Sequence, residues 1–574
     1  MTPLQAPSHP TTGAVPVARL WWLALALALL WLPAVLRGGW VLDDRELIFE
    51  NPVVNGALPW HAVFGRDYFH HLGDSGQWRP LASLSLRLDR VLWGEWVTGY
   101  HCTNVLLHFA VVALALRLFA RLGLGARALV AGTVFFALHP LLADSVVWIA
   151  GRTSMLSALG PLAGALASRA LARRGAGAIP VGLAGTLGIL AGLLAKEDAL
   201  FLAPLVPLAL VGSSRLQARA GLVALFVAPA LWCAGRWWAL GSPLPEALSP
   251  ALGDAGLLER AGVGGNALLT ALRVTVLPLD YPPQYRLQAL HGGNAPLSPI
   301  LAAVLGWGLA ACLLGVALDA LRRRRGLVAW SALLAIVACS PFTQLVPIGE
   351  VFAPRFLYTP LLLAIPLVGA SFARLISLRR MPPPSGALVL GLVALLLASL
   401  SYRRAGVYAN RGTWRSAVLE HNPDDAPSWN GLALYHEEEG DIQNARFAWQ
   451  QAIVCDPGYS KSWSNLGRVL LVAGELEAAE KTLRQALRVG PRNAVARINL
   501  ATLLTRRAEY AEAAELYEQA TRLSPGLAAA WRGLGQARLA LEDPAGARMA
   551  LERARDLDPR NPGLQALFKR LSPR

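Results

Sequence analysis

Two adjacent carboxylates, Asp43 and Asp44, stand just beyond the first long apolar run of the chain, residues 17–36. Charge beside hydrocarbon is costly, so a pair of acids in that place calls for a reason. Either acid could serve as a general base that takes a proton from a hydroxyl; the plainer alternative is a solvated loop or a helix cap. Further along, Gln77-Trp78-Arg79-Pro80-Leu81 offers a guanidinium at Arg79 that can hold a phosphate or pair with either acid. As an isolated feature it reads equally well as an arginine before a proline-started helix. His101, Asn104 and His108 are three and four residues apart, so one helix face carries all three. In an apolar helix such a face points at a cavity or bonds to a neighbouring helix, and the second is the stronger reading for Asn104. His139-Pro140 breaks a helix and frees backbone groups, with Asp144 and Arg152 close behind. Lys196-Glu197-Asp198 makes a charged turn, and Glu350 precedes Pro354-Arg355-Phe356-Leu357-Tyr358. Lys196 and Arg355 are candidates to hold a lipid phosphate. Each cluster alone reads as loop charge; all of them on one membrane face is a stronger pattern. No cofactor is expected; histidines and carboxylates of this kind could also make a divalent-metal site, but no ligand spacing compels one.

These clusters need a scaffold, and composition names its class. The chain has 574 residues, 54% hydrophobic and 16% charged, which points to a polytopic membrane protein. About eleven spans are expected, at 17–36, 100–120, 128–148, 154–172, 178–196, 199–213, 218–240, 298–320, 327–346, 356–378 and 385–402. The net charge of +16 does not imply nucleic acid. The arginines lie in short connections: Arg117, Arg121 and Arg127; Arg169, Arg173 and Arg174; Arg215 and Arg219; Arg322 to Arg325; Arg379 and Arg380. All of these fall on the cytoplasmic side if the N-terminus is inside. Residues 1–16 then form a disordered cytoplasmic tail, and 17–36 is a signal anchor. The connections 37–99 and 241–297 become external loops, with 262–279 read as an interfacial or re-entrant helix. The five cysteines have no framework spacing and read as small buried residues.

After an expected linker at 403–425, a second domain occupies 426–574. Trp429, Trp463, Arg497 and Trp531 recur every 34 residues, as do Ala445, Ala479, Ala513 and Ala547. Pro457, Pro491, Pro525 and Pro559 close the units. This is the tetratricopeptide helix–turn–helix pattern, four units deep. Such arrays stack into an α-solenoid that binds peptides or partner proteins, or serves as a spacer. The expected fold class is therefore all-α: a membrane helical bundle followed by a solenoid.

As a set, these motifs resemble the transmembrane and tetratricopeptide-repeat (TMTC) proteins of the GT-C class of glycosyltransferases. The matching pieces are the acidic pair after the first span, Trp78-Arg79-Pro80-Leu81, His101-x-x-Asn104-x-x-x-His108 and His139-Pro140. Asp144, Val147-Trp148-Ile149-Ala150-Gly151-Arg152, Lys196-Glu197, Arg355-Phe356-Leu357-Tyr358-x-Pro360 and the repeats complete the set. Asp144 departs from the Glu often found in the family, and only four repeats are clear. The resemblance implies a polyprenyl-phosphate-linked sugar donor, mannose-like, and transfer to Ser or Thr of an acceptor protein on the non-cytoplasmic face. It implies the catalytic Asp at Asp43 or Asp44. Donor and lipid-phosphate contacts would come from Arg79, His101, Asn104, His139, Asp144, Arg152, Lys196, Glu197, Arg355 and Tyr358. An Ala-, Leu- and Arg-heavy composition fits a GC-rich bacterial genome, which would place the chain in the inner membrane with its repeats in the periplasm. The rival expectations are a non-catalytic membrane-anchored scaffold and a transferase acting on a glycan or lipid.

Overall fold

In the computed structural model, residues 17–69, 76–243, 256–285, 297–322, 326–343, 352–559 and 561–571 are described. The expected tail 1–16, Arg323 to Arg325, Glu350 and parts of the 241–297 loop lie outside them. Regular structure among the described residues is helical, apart from one antiparallel bridge between Tyr285 and Phe352. The chain forms two compact units, Met1–Trp414 and Arg415–Arg574.

Among the described residues of the first unit, five helices are long and apolar enough to cross a membrane, two bent helix pairs have the form of a broken span or a re-entrant loop, and three shorter apolar helices accompany them. These ten features take up ten of the expected spans. The segment 199–213 holds no long helix: between Lys196, beside Ser154, and Ala209, beside Arg169, it divides into a 3-10 turn, Glu197–Phe201, and a short helix, Leu205–Ala209. Pro204 and Pro207 remove donors and crowd the preceding turn, which breaks any continuous helix there. Residues 262–276 of the stretch 262–279 belong to an unbroken 20-residue helix, Leu257–Val276. Residues 403–425 are not an irregular linker. The helix Pro383–Ala405 runs into a 3-10 turn, Gly406–Tyr408, and the helix Arg411–His421 follows. Trp414, Ala417 and Val418 are buried, three and four residues apart on one apolar face.

Close backbone packing sets where the polar clusters fall. Helices Arg152–Arg173 and Ala178–Leu193 form a hairpin whose contact is made by glycines: a Cβ on Gly188 would lie 2.5 Å from Gly164 Cα. Small residues let membrane helices approach this closely. The hairpin returns the 193–197 turn to the start of its first helix, beside Ser154. Helices Ala126–Ala137 and Ile365–Leu378 pack the same way, with no room for a side chain at Gly369 against Ala128. That contact fixes the 354–358 turn near the His139 break. The bend there is 50°.

The second unit stacks four helix pairs: Ala426–Glu438 with Ile442–Cys455, Ser460–Val472 with Leu476–Val489, Ala494–Arg506 with Tyr510–Leu523, and Ala528–Ala540 with Pro544–Leu557. Pro562–Leu571 follows the last pair. The repeating alanines, Ala445, Ala479, Ala513 and Ala547, have no solvent exposure. The recurring Trp and Pro are joined physically: the indole N–H of Trp429, Trp463 and Trp531 donates to the carbonyl of the proline six residues earlier, at 2.7, 2.9 and 2.9 Å.

Candidate active site

The acidic pair divides into two different environments. Asp44 is fully buried, and both of its oxygens are used: Oδ2 accepts from Val41 N at 3.1 Å and Oδ1 from Ala150 N at 3.1 Å. It ties the turn after the first span to the loop before Arg152. Burial, with Asp43 next to it, pushes its carboxyl well above the ordinary range. Asp43 is half-buried, and its Oδ1 has no hydrogen-bond partner. Burial raises its pKa to about 6; Arg355 and Arg79 pull it back down, while Glu46 pushes it up. A carboxylate titrating there is a competent base near neutral pH. Glu46 is held by Arg411, whose Nη2 lies 2.8 and 3.0 Å from its two oxygens.

Around Asp43 the chain gathers cations from three distant segments. Arg79, at the start of the helix Pro80–Trp93, pairs with Glu197 at 3.2 Å and lies 5.8 Å from the Tyr68 ring centre. Lys196 donates to Ser154 Oγ at 2.9 Å and pairs with Asp198 at 3.1 Å. Its ammonium lies 6.0 Å from the Phe356 ring centre, and the Arg355 guanidinium lies 5.6 Å from the same ring and 5.2 Å from that of Trp148. Burial would raise the Glu197 carboxyl, but Arg79, the residue's own backbone N–H and Lys196 together outweigh it and hold the carboxyl below the ordinary range, so Glu197 stays ionised and keeps Arg79 in place. Arg355 and Arg79 thus act on Asp43, Glu197 holds Arg79, and Lys196 shares the Phe356 ring with Arg355.

Other expected donor contacts serve the scaffold instead. Arg152 is fully buried and pairs with Asp89 at 2.6 Å; it also donates to Ile149 O, Ser85 Oγ and Tyr100 O. Four of its five N–H donors are engaged and it has no exposure, so it is not open to a lipid phosphate. Asn104 donates to Trp148 O at 2.9 Å, the interhelical bond that its type favours. His139 Nδ1 accepts from Leu141 N at 3.3 Å, so Nε2 carries the proton and donates to Thr275 O at 3.0 Å. That pins the helix break to the end of Leu257–Val276. Tyr358 is buried, and its hydroxyl lies 3.3 Å from His108 Nδ1, within the bundle. His101 is buried beneath Gly38, where an added Cβ would stand 2.6 Å from the ring. Asp144 is also buried, 3.8 Å from Arg404.

Arg404, Tyr408 and Asp89 were absent from the sequence reading. Arg404 donates to Tyr281 O at 2.9 Å, lies 4.2 Å from the Tyr281 ring centre and faces Asp144. In the sequence it follows an apolar run beside Arg403 and looks like an ordinary flanking charge. Only the buried Asp144, which needs a counter-ion, signals a partner. Among the described residues no group of three or more His, Cys, Asp or Glu is arranged to hold a metal.

Comparisons with known proteins point the same way as the motifs. A family model, "Tetratricopeptide repeat", matches residues 411–460, 464–528 and 498–562. The "Protein O-mannosyl-transferase Tmtc2" of Drosophila melanogaster is 35% identical over 125 residues, 21% of this chain and 13% of that protein. The "Protein O-mannosyl-transferase Tmtc1" of the same organism is 36% identical over 137 residues, 23% of this chain and 16% of that protein. The "Protein O-mannosyl-transferase TMTC2" of Mus musculus is 36% identical over 122 residues, 20% of this chain and 14% of that protein. The alignments thus span less than a fifth of these three relatives. They bear out the resemblance to the TMTC proteins drawn from the motifs. Among solved structures, MamA is 21% identical over 25% of this chain and 85% of that one, with a TM-score of 0.23. A Pseudomonas aeruginosa pilF structure is 21% identical over 32% of this chain and 79% of that one, with a TM-score of 0.26.

Proposed function

We propose that the membrane unit transfers a mannose-like sugar from a polyprenyl-phosphate carrier to a Ser or Thr hydroxyl of an acceptor protein. In this reading Asp43 is the general base and the repeat unit receives the acceptor. One observation carries it: a half-buried carboxylate with an unpartnered oxygen, acted on by Arg355 and Arg79, beside a second carboxylate that is locked into the fold. The acceptor oxygen attacks the anomeric carbon as its proton passes to Asp43 Oδ1. The bond from that carbon to the phosphate oxygen breaks, and the sugar-free polyprenyl phosphate leaves with the electron pair. Negative charge builds on the phosphate in the transition state, where fixed cations act most strongly. Arg355 and Lys196 meet at the Phe356 ring and supply that charge; Arg79, held by Glu197, completes the set. The Trp148 and Phe356 faces hold the Arg355 fork in place.

The lipid tail has a matching berth. An apolar cavity of about 260 Å³ is lined by Leu272, Leu309, Leu313, Ile336 and Leu361, and its wall includes Leu357, two residues from Arg355. A phosphate at Arg355 could thus send its hydrocarbon chain between the helices. The bias of arginines to alternate connections supports a cluster on the non-cytoplasmic face, the periplasmic side of an inner membrane. The names of the relatives, protein O-mannosyl-transferases, support a protein acceptor.

The test is reconstitution in lipid nanodiscs with polyprenyl-phosphate mannose and a Ser/Thr-rich acceptor protein, read by intact mass. A gain of one hexose per transfer is expected, with none when a nucleotide sugar replaces the lipid donor. Full occupancy by donor without transfer to protein, glycan or lipid would leave the scaffold reading in its place.

A further inference from the structure

A second apolar cavity, of about 340 Å³, lies between three helices of the membrane unit. Ala126 and Val130, Phe372 and Ile376, and Gly386 and Leu390 line it. Each pair is four residues apart, on one face of Ala126–Ala137, Ile365–Leu378 and Pro383–Ala405 respectively. The space is more than twice the roughly 150 Å³ of an apolar cavity that stays dry and takes up benzene. It shares no lining residue with the cavity beside Leu357. Two of the helices start at this cavity and the third ends there, whereas His139, Arg355 and Arg404 lie toward their opposite ends. From Arg127 to the end of its helix at Ala137 is about 15 Å along the axis, so the cavity stands apart from the candidate active site.

Two observations say what fits it. Leu375, Leu378, Leu388 and Leu392, on the two helices joined through Met381, are exposed. In a membrane unit such leucines face hydrocarbon, so an acyl chain of the surrounding lipid can enter without crossing water. The mouth, in contrast, is cationic. Arg127 is the one charged residue of the lining, and Arg379-Arg380 immediately precede Met381, which also lines the space. All three arginines are exposed, and none makes an ion pair among the described residues. No Asp or Glu occurs from 122 to 143 or from 351 to 419, so the elements that build the cavity supply no counter-ion. A purely apolar ligand would leave those charges unused, and a soluble anion would leave the cavity unused. Arginines at the mouth of an apolar space between membrane helices match a phosphate joined to an acyl chain.

We propose that this cavity holds one acyl chain of an anionic phospholipid, whose phosphate sits on Arg127 and the Arg379-Arg380 turn. Bound lipid bridges the three helices from the end remote from the sugar-transfer site. The proposal does not depend on sugar transfer, since binding is read without donor. The experiment is native mass spectrometry of the full chain, delipidated in detergent and titrated with phosphatidylglycerol, phosphatidylcholine of the same acyl chains, or glycerol 3-phosphate. One phosphatidylglycerol should bind at least about tenfold more tightly than phosphatidylcholine, on the scale of two arginines facing one anionic headgroup. Glycerol 3-phosphate should not compete with it. Arg127→Gln with Arg379→Gln should weaken it by about tenfold or more. Arg215→Gln with Arg219→Gln, exposed arginines that line no part of this cavity, should leave it within about twofold, because headgroup attraction is local. Ala387→Phe, at an exposed lining position, puts a ring into the space, keeps every arginine and should also weaken binding. Equal binding of phosphatidylcholine, competition by glycerol 3-phosphate, equal loss in both arginine pairs, or unchanged binding in Ala387→Phe would overturn the proposal. So would displacement of phosphatidylglycerol by an equal concentration of polyprenyl phosphate, which would give the cavity to the sugar carrier.

Discussion

Replacing Asp43 with Asn should stabilise the protein at neutral pH, and the size of the gain follows from its surroundings. Burial lifts this carboxyl from 3.8 to about 6, after Arg355 and Arg79 have lowered it. That rise corresponds to about 3 kcal/mol against the folded state when the group is ionised. The folded-state pKa lies above the unfolded one, so the folded state holds the proton more tightly. The resulting stability is complete below about 3.8 and is lost as pH rises through about 6. An amide at position 43 never ionises and escapes that loss. Asp43→Asn should therefore unfold at a higher temperature than the unsubstituted protein at pH 7.5, by an amount equivalent to about 1–3 kcal/mol. The difference should vanish near pH 4. The assay is thermal unfolding in detergent, followed by tryptophan fluorescence across that pH range. Asp44→Ala gives the contrast: it strips the partners from Val41 N and Ala150 N, which costs about 1–3 kcal/mol for each group left buried without a bond. An Asp43→Asn protein less stable than the parent at pH 7.5, or one whose difference does not depend on pH, would refute the reasoning.

Other expectations follow from the same geometry. The acid limb of transfer rate against pH should have an apparent pKa near 6. It should move up in Arg355→Gln, which removes a charge that lowers Asp43, and down in Glu46→Gln, which removes one that raises it. Opposite displacements in the two pH–rate profiles are the check. Arg152→Ala should lose about 3–5 kcal/mol by leaving Asp89 buried and unpaired; thermal unfolding will read this, and adding Asp89→Leu should recover part of it. Gly369→Ala should cost at least about 1–3 kcal/mol, because its Cβ has no space against Ala128 and the two helices must part; yield of folded protein in detergent is the readout.

Much of the fold is written in local periodicity. The 34-residue step places the Ala and Pro of each repeat and the Trp of three of them, and the indole-to-proline bonds make two of those positions one physical feature. The polar clusters are likewise visible, because charge in an apolar chain stands out. What each charge does is less visible, because it depends on partners far away in the chain. Arg152 and Arg355 look alike in sequence, yet Asp89 consumes one while aromatic faces frame the other. The two acids at 43 and 44 are also equivalent on paper; the Ala150 amide separates them by binding only the second. Arg404 looks like an ordinary flanking charge in the sequence because its partner, Asp144, lies on a helix far away in the chain. The 199–213 segment is broken into short helices for a local reason that apolarity masks, its two prolines.

The account rests most heavily on Asp43 as the base. The most direct measurement is turnover of polyprenyl-phosphate mannose by nanodisc-reconstituted protein, comparing the parent chain with Asp43→Asn at pH 7.5 after both are verified as folded. Transfer in the variant should fall by about 10²-fold or more, the scale of a lost general base, while donor binding persists. Turnover at the parent rate in folded Asp43→Asn would contradict it.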